Sequence, residues 1–191
     1  MDLKVVAYVL GRLSQACGAV LVLPFGVALC YAETSRFAFA VAIVICALWG
    51  LFLTYWGRLT SDNLTVREGI AITGLGWIMV TFLGMVPYAA GGYLSVLDGV
   101  LETISGLSGT GATVMTDIEA MPGSILLWRA LTHWFGGLGI IVIFIALLPQ
   151  FGRGAVHMFN AESTGPTSER VLPRIKEMAK ALFSVYLVFT A

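Results

Sequence analysis

Four long apolar runs divide the chain: Leu13 to Ala32, Phe37 to Gly57, Gly69 to Leu97, and Ala130 to Gly152, the last extended back to Ile125 so that it includes Arg129. Each can cross a hydrocarbon core that takes about 20 helical residues. Between the third and fourth lies a shorter stretch, Val100 to Val114, which follows Asp98, contains Glu102 and runs through Ser108-Gly109-Thr110-Gly111-Ala112-Thr113. It is too short to cross and reads as a re-entrant helix. Irregular backbone at membrane depth survives only where protein buries it or where it lines a watery cavity. Pro24 and Pro87 stand near the ends of their runs, where neighbouring helices can satisfy the carbonyls that proline frees. A further apolar run begins near Ala181 and continues to Ala191, and more helices are expected to follow it.

Composition agrees with the pattern, at 58% hydrophobic and 12% charged residues and a mean hydropathy of +0.90. An integral membrane protein is expected, all-α in class. The formal net charge is zero, so no global field points to nucleic acid. Cys17, Cys30 and Cys46 all lie within apolar runs and read as small buried hydrophobes, not as disulfide partners or metal ligands. The first run is longer than the core of a secretory signal, so a retained helix is expected there.

The placement of the charges sets an orientation. Lys4, Arg58, Arg67, Arg153, Arg170, Arg174, Lys176 and Lys180 fall on one side if the spans alternate, with Arg36 the main basic loop residue opposite. The first group is expected in the cytoplasm, with the N-terminus inside and the Gly/Thr loop opening outward. The chain then divides into an N-terminal helix pair with its loop (1–66), a helix, short helix and loop, helix unit (67–152), a polar cytoplasmic connector (153–180), and the start of a second unit (181–191).

The chemistry of the short stretch favours a cation. Asp98 is placed to cap its helix, and the C-terminal carbonyls carry the negative end of the helix dipole, about half an elementary charge, into the membrane interior. Gly109 and Gly111 accept backbone angles that turn successive carbonyls toward one axis, and Thr110 adds a hydroxyl. No carboxylate lies within Ser108 to Thr116. A filter of carbonyls suits a monovalent alkali cation, which must be held firmly enough to enter and loosely enough to leave. The competing reading is that these glycines only allow close helix packing. Packing is also the role expected of Gly136-Gly137-Leu138-Gly139.

Other polar residues admit two readings each. Glu102 and Arg129 either pair and brace the short helix against the next span, or each snorkels to the headgroups. Asp117 and Glu119 either gather cations at an outer mouth or sit in a solvated loop. His133 reads as a packed histidine and His157 as surface. Gly106-Leu107-Ser108-Gly109 also fits the G-x-S-G pattern of rhomboid intramembrane proteases, with His133 as base, but no oxyanion motif accompanies it. A non-transporting assembly subunit is the third reading.

The run from Asp98 through Glu102 and Ser105-Gly106-Leu107-Ser108-Gly109-Thr110-Gly111-Ala112-Thr113 is followed by Trp128-Arg129 and Trp134-Phe135-Gly136-Gly137-Leu138-Gly139-Ile140-Ile141-Val142. Together with Leu148-Pro149, Ala161-Glu162, Gly165-Pro166 and Pro173-Arg174-Ile175, it closely resembles the membrane subunit of bacterial Trk-type potassium uptake systems, within the Trk/Ktr/HKT superfamily. The resemblance covers most of the chain beyond Arg67, and the N-terminal pair fits the extra helices of that branch. It implies four helix, pore-loop, helix units around one pore in the bacterial inner membrane, each giving one filter strand, with this chain supplying the first. It implies that Gly111 is the filter glycine and that Gly109 and Thr110 supply the carbonyls nearest a transported potassium ion, with Ser108 and Ala112 flanking them. Asp98, Glu102 and Arg129 would support the pore helix. The family usually has threonines at the positions of Ser108 and Gly109, so Gly109→Thr is expected to be tolerated. The resemblance also implies a transporter and not an enzyme, and no cofactor beyond the transported ion. The implied partners are three further pore units, a second full-length subunit, membrane lipid and a cytosolic nucleotide-binding regulatory ring touching Gly152 to Lys180.

Overall fold

The structure, a computed structural model, describes residues 2–57, 66–137, 184–186, 188 and 190. They are mostly helical, with no strand among them. Two compact units are present, Met1–Phe135 and Gly136–Ala191. The first holds α1 (Leu3–Cys30), α2 (Arg36–Trp56), α3 (Val66–Gly84), α4 (Val86–Ala90) and α5 (Val96–Ser108), followed by a helix that starts at residue 123. Leu3–Cys30, Arg36–Trp56 and Arg67–Ala90 are long and apolar enough to cross a membrane.

Helix α1 starts well before the expected Leu13. Asp2 caps it by accepting the Lys4 N–H at 2.9 Å, and Arg12 stays on its exposed face, bonded to Gln15 at 3.0 Å. The charges that marked a boundary in the sequence therefore lie along a continuous helix. Helix α2 matches its expected span. The two pack through small residues: a methyl group added to Gly11 would lie 2.9 Å from the Gly50 carbonyl oxygen, and one added to Gly50 would lie 3.0 Å from that of Gly11. Main chains thus approach without intervening side chains, as small residues permit in membranes. The Ser14 hydroxyl donates across the seam to the Cys46 carbonyl at 2.8 Å. Cys17 and Cys46 are buried as expected, whereas Cys30 is exposed because it falls in the last turn of α1, past the packed stripe.

The third span ends at Ala90, short of the expected Leu97. The chain turns at Gly91 and Gly92, the latter at a φ of +68°, and Val96 and Leu97 instead open α5. Before that turn the span breaks between α3 and α4. The Tyr88 N–H bonds the Met85 carbonyl at 3.1 Å, which leaves the Gly84 carbonyl outside the helical ladder. The Trp128 indole N–H takes it at 2.9 Å. This carbonyl is the one next to that of Leu83, which Pro87 frees directly by lacking an N–H.

The described part of the second unit is helical. A methyl group added to Gly137 would lie 2.7 Å from the Tyr186 hydroxyl oxygen, which is the packing role expected of this glycine. Leu138 to Gly152, the connector over 153–180 and His157 lie outside the described residues.

Candidate functional site

Helix α5 begins at Ser95, not Asp98. Ser95 has extended backbone and accepts the Asp98 N–H at 3.2 Å, while its hydroxyl donates to the Asp98 carboxylate at 2.7 Å. Asp98 therefore lies inside the first turn, where a serine three residues earlier holds it and its charge favours the positive end of the helix dipole. The helix buries Gly99, Glu102, Thr103, Gly106 and Leu107 and leaves Leu97, Leu101, Ile104 and Ser108 exposed. Close contact on the buried side depends on glycine: a methyl group on Gly84 would lie 2.7 Å from Thr103, and one on Gly106 would collide with the Thr132 side chain.

At its C-terminus α5 stops on Gly109, whose φ of +69° and ψ of 14° place it in the left-handed region. The Gly109 N–H returns to the Gly106 carbonyl at 3.0 Å and the Thr110 N–H to that of Ser105 at 3.1 Å. This is a Schellman closure, which favours glycine at that one position. A threonine at Gly109 would have to adopt the same left-handed angle with a branched β-carbon, at a cost of about 1–3 kcal/mol. The expected tolerance of Gly109→Thr does not follow from this geometry. Gly111 also has positive φ, at +74°, and a methyl group on either glycine would meet no atom within 4 Å. Backbone angle, and not crowding within this chain, is what requires glycine at both.

From Gly109 the chain runs back along α5. Its course is fixed by Glu102, which is only 1% exposed. One carboxylate oxygen accepts the Thr113 hydroxyl at 2.9 Å and the Val114 N–H at 3.1 Å. The other accepts Arg129 Nε at 2.6 Å. Of the two readings of Glu102 and Arg129, pairing is the one found. The Ser105 hydroxyl donates to the Ala112 carbonyl, turning it toward the helix. Ser108 and Thr110 share a hydroxyl contact at 2.7 Å. The carbonyls of Gly109, Thr110 and Gly111 accept no hydrogen bond from a described residue, and residues 108–114 are exposed. Between this segment and α5 lies a cavity of about 250 Å³ lined in part by Glu102, Ser105, Ser108, Thr110 and Thr113. What results is a short run of free carbonyl oxygens at a helix C-terminus, backed by an anchored carboxylate. Such a surface attracts cations and repels anions.

Several residues fall elsewhere. Asp117 accepts the Ala120 N–H at 3.2 Å within an exposed turn. The His133 Nδ1–H donates to the Arg129 carbonyl at 2.9 Å, and the Ser108 hydroxyl bonds Thr110 and the Ser105 carbonyl. No hydrogen bond among the described residues joins Ser108 to His133, so a protease dyad is not assembled. Sequence reasoning missed the Ser95 cap, although serine three residues before an aspartate is a legible capping signal. It also missed Thr113, Val114 and a cluster in which Glu33 and Ser35 meet Ser124, which no local pattern reveals because 91 residues separate Glu33 from Ser124.

Comparison with known proteins gives the chain a family. A family model described as TrkH, cation transport protein, matches residues 35–191. This chain belongs to the TrkH family. The Trk system potassium uptake protein TrkH of Halomonas elongata is 35% identical over the whole of this chain, which spans 40% of that protein. TrkH of Escherichia coli K12 is 32% identical with the same coverage. The crystal structure of the potassium transporter TrkH from Vibrio parahaemolyticus superposes with a TM-score of 0.79 at 31% identity, covering 98% of this chain and 37% of that one. The TrkH relatives are named as transport proteins, and with three apolar helices in hand the chain is a multi-pass membrane protein. It spans about two fifths of the length of the TrkH proteins it matches.

Proposed function

We propose that this chain provides one filter strand of a potassium uptake pathway, with α5 as a re-entrant pore helix and Gly109, Thr110 and Gly111 presenting carbonyls to the ion. The observation that carries this reading is the run of exposed carbonyls without hydrogen-bond donors that leaves the C-terminus of α5 and returns under the hold of Glu102. Ala112 contributes less, because its carbonyl already accepts from Ser105. Ser108 borders the site through its contact with Thr110. Helix α5 is about 20 Å long at 1.5 Å per residue, so it reaches partway through a core of about 30 Å. The turns at Glu33 and Tyr93 and the loop before residue 123 lie on one face, tied by Thr34 to Tyr93 at 3.4 Å and by Glu33 to Ser124 at 3.2 Å. In this reading that face is the outer mouth and the N-terminus is cytoplasmic.

In the same reading residues 1–66 are an N-terminal pair, 67–152 the first pore unit, 153–180 a cytoplasmic connector and 181–191 the start of the next unit. Three further units complete the pore, two full-length subunits form the inner-membrane assembly, and a cytosolic nucleotide-binding ring regulates it. Potassium moves down its electrochemical gradient, with no cofactor beyond the transported ion. The test is Gly111→Ser in the natural protein, assayed by uptake of potassium and sodium in a potassium-uptake-deficient bacterium. A weaker potassium affinity or a changed ion preference is expected, because serine resists a φ of +74°. Normal transport with unchanged preference would remove this segment as the filter.

A further inference from the structure

We propose that Glu33, in the turn between α1 and α2, is a positioning residue for the filter strand, acting through the helix that begins at residue 123. The inference rests on the reading of Gly109 to Gly111 as the filter. That helix is preceded by Pro122, which has no side-chain acceptor for the N–H groups of the first turn. The cap comes from a distant part of the chain. One Glu33 carboxylate oxygen accepts the Ser124 N–H at 3.2 Å and the Ser35 hydroxyl at 3.0 Å, and the Ser124 hydroxyl donates to it as well. Gly123 lies against the same carboxylate, where an added methyl group would be 3.3 Å from Glu33 Oε1. Ser35 and Ser124 are fully buried, with their hydroxyls 2.7 Å apart. A negative charge accepting the free donors of a helix N-terminus combines hydrogen bonding with a favourable dipole interaction.

What this helix carries gives the cap its reach. Trp128 and Arg129 follow little more than one turn after Ser124. Trp128 holds the Gly84 carbonyl at 2.9 Å, and Arg129 holds Glu102 at 2.6 Å. Glu102 in turn fixes Thr113 and Val114. Glu33 is thus joined to the filter strand by three successive links: its carboxylate to the helix start, Arg129 to Glu102, and Glu102 to the strand. Loss of the cap lets the first turn fray and the helix shift along its axis, which moves Arg129 and slackens the strand that Glu102 holds. The N-terminal helix pair then acts as a clamp on the ion site from outside it.

The test compares Glu33→Ala, Glu33→Gln and Gly111→Ser in the natural protein, each normalised to the amount of protein in the membrane, with potassium and sodium uptake measured over a range of concentrations. Glu33→Ala is expected to raise the potassium KM about fivefold, the change a lost cap corresponds to, and to lower the potassium-to-sodium preference. Glu33→Gln, which keeps an acceptor oxygen and retains folding, is expected to show a smaller shift in the same direction. In Glu33→Ala carrying Ser35→Cys and Ser124→Cys, with Cys30→Ala, oxidation is expected to restore both values by rejoining the turn to the helix. If the Glu33 variants change only the amount of protein, with KM and preference intact while Gly111→Ser shifts them, the positioning role is overturned and the filter reading stands. If Gly111→Ser shifts neither, the filter reading fails and this inference fails with it.

Discussion

The α1/α2 seam and the hairpin made by α5 and the irregular segment that returns along it are held by opposite means. In the seam the main chains touch at Gly11 and Gly50, and the Ser14 hydroxyl crosses from α1 to a carbonyl of α2. In the hairpin, one buried carboxylate joins three groups from two other segments. Between helices that satisfy their own backbone groups, close packing suffices. An irregular segment whose carbonyls are left free has no ladder to hold it, so its position depends on the few donors it offers from its far end. The seam tolerates no added volume, and the hairpin tolerates no lost charge.

Breaking the hairpin side of this contrast has the largest expected effect. Glu102→Ala leaves the Arg129 guanidinium and the Val114 N–H without their acceptor, and should destabilise the protein by about 3–5 kcal/mol. Thermal unfolding in detergent would measure it. In a double-mutant cycle, Glu102→Gln with Arg129→Gln should cost less than the sum of the two single changes, whereas strict additivity would mean that the two charges do not share an interaction.

On the seam side, Gly11→Leu should cost about 1–3 kcal/mol by forcing α1 from α2, because even a methyl group there approaches Thr54 to 2.7 Å. Gly26→Ala, on the same helix with nothing within 4 Å of the added carbon, should be neutral or slightly stabilising. Equal losses from both, read in the same unfolding assay, would mean that close approach is not what the seam selects.

The smallest effect concerns pH. Burial opposes the charged form of Glu33, but hydrogen bonds from the Ser124 hydroxyl and N–H, from Ser35 and from Gly123 outweigh it and hold its pKa below the ordinary carboxylate value. A lowered pKa in the folded state stabilises the protein above the ordinary value, and that contribution disappears as pH falls through the folded one. The stability difference between the natural protein and Glu33→Gln should therefore be flat at neutral pH and shrink on acidification. A difference that grew toward low pH would contradict the capping role.

Much of this molecule was legible in its sequence because membrane helices announce themselves by length and apolarity. The α2 boundaries followed from the length of the apolar run that ends at Gly57, and the cost of isolated charge at membrane depth made pairing of Glu102 with Arg129 one of two readings, between which the structure decides. The start of α1 did not, since Lys4 and Arg12 read as a border and prove to lie on an exposed face. The start of α5 was misplaced because Val96 and Leu97 extend the preceding apolar run without interruption, and only Ser95 signals the new helix. Glu33 was invisible for a different reason: its partners are brought to it by tertiary packing, and no spacing rule covers a separation of 91 residues.

Glu102 divides its two oxygens between partners of different age. Thr113 and Val114 follow it by 11 and 12 residues, and Arg129 by 27. As the chain is synthesised, the strand's own anchors therefore emerge well before the arginine does, and the hairpin has what it needs to close on one oxygen while the other still awaits its cation. The second oxygen is satisfied only when the following helix, which carries Arg129, has reached its place.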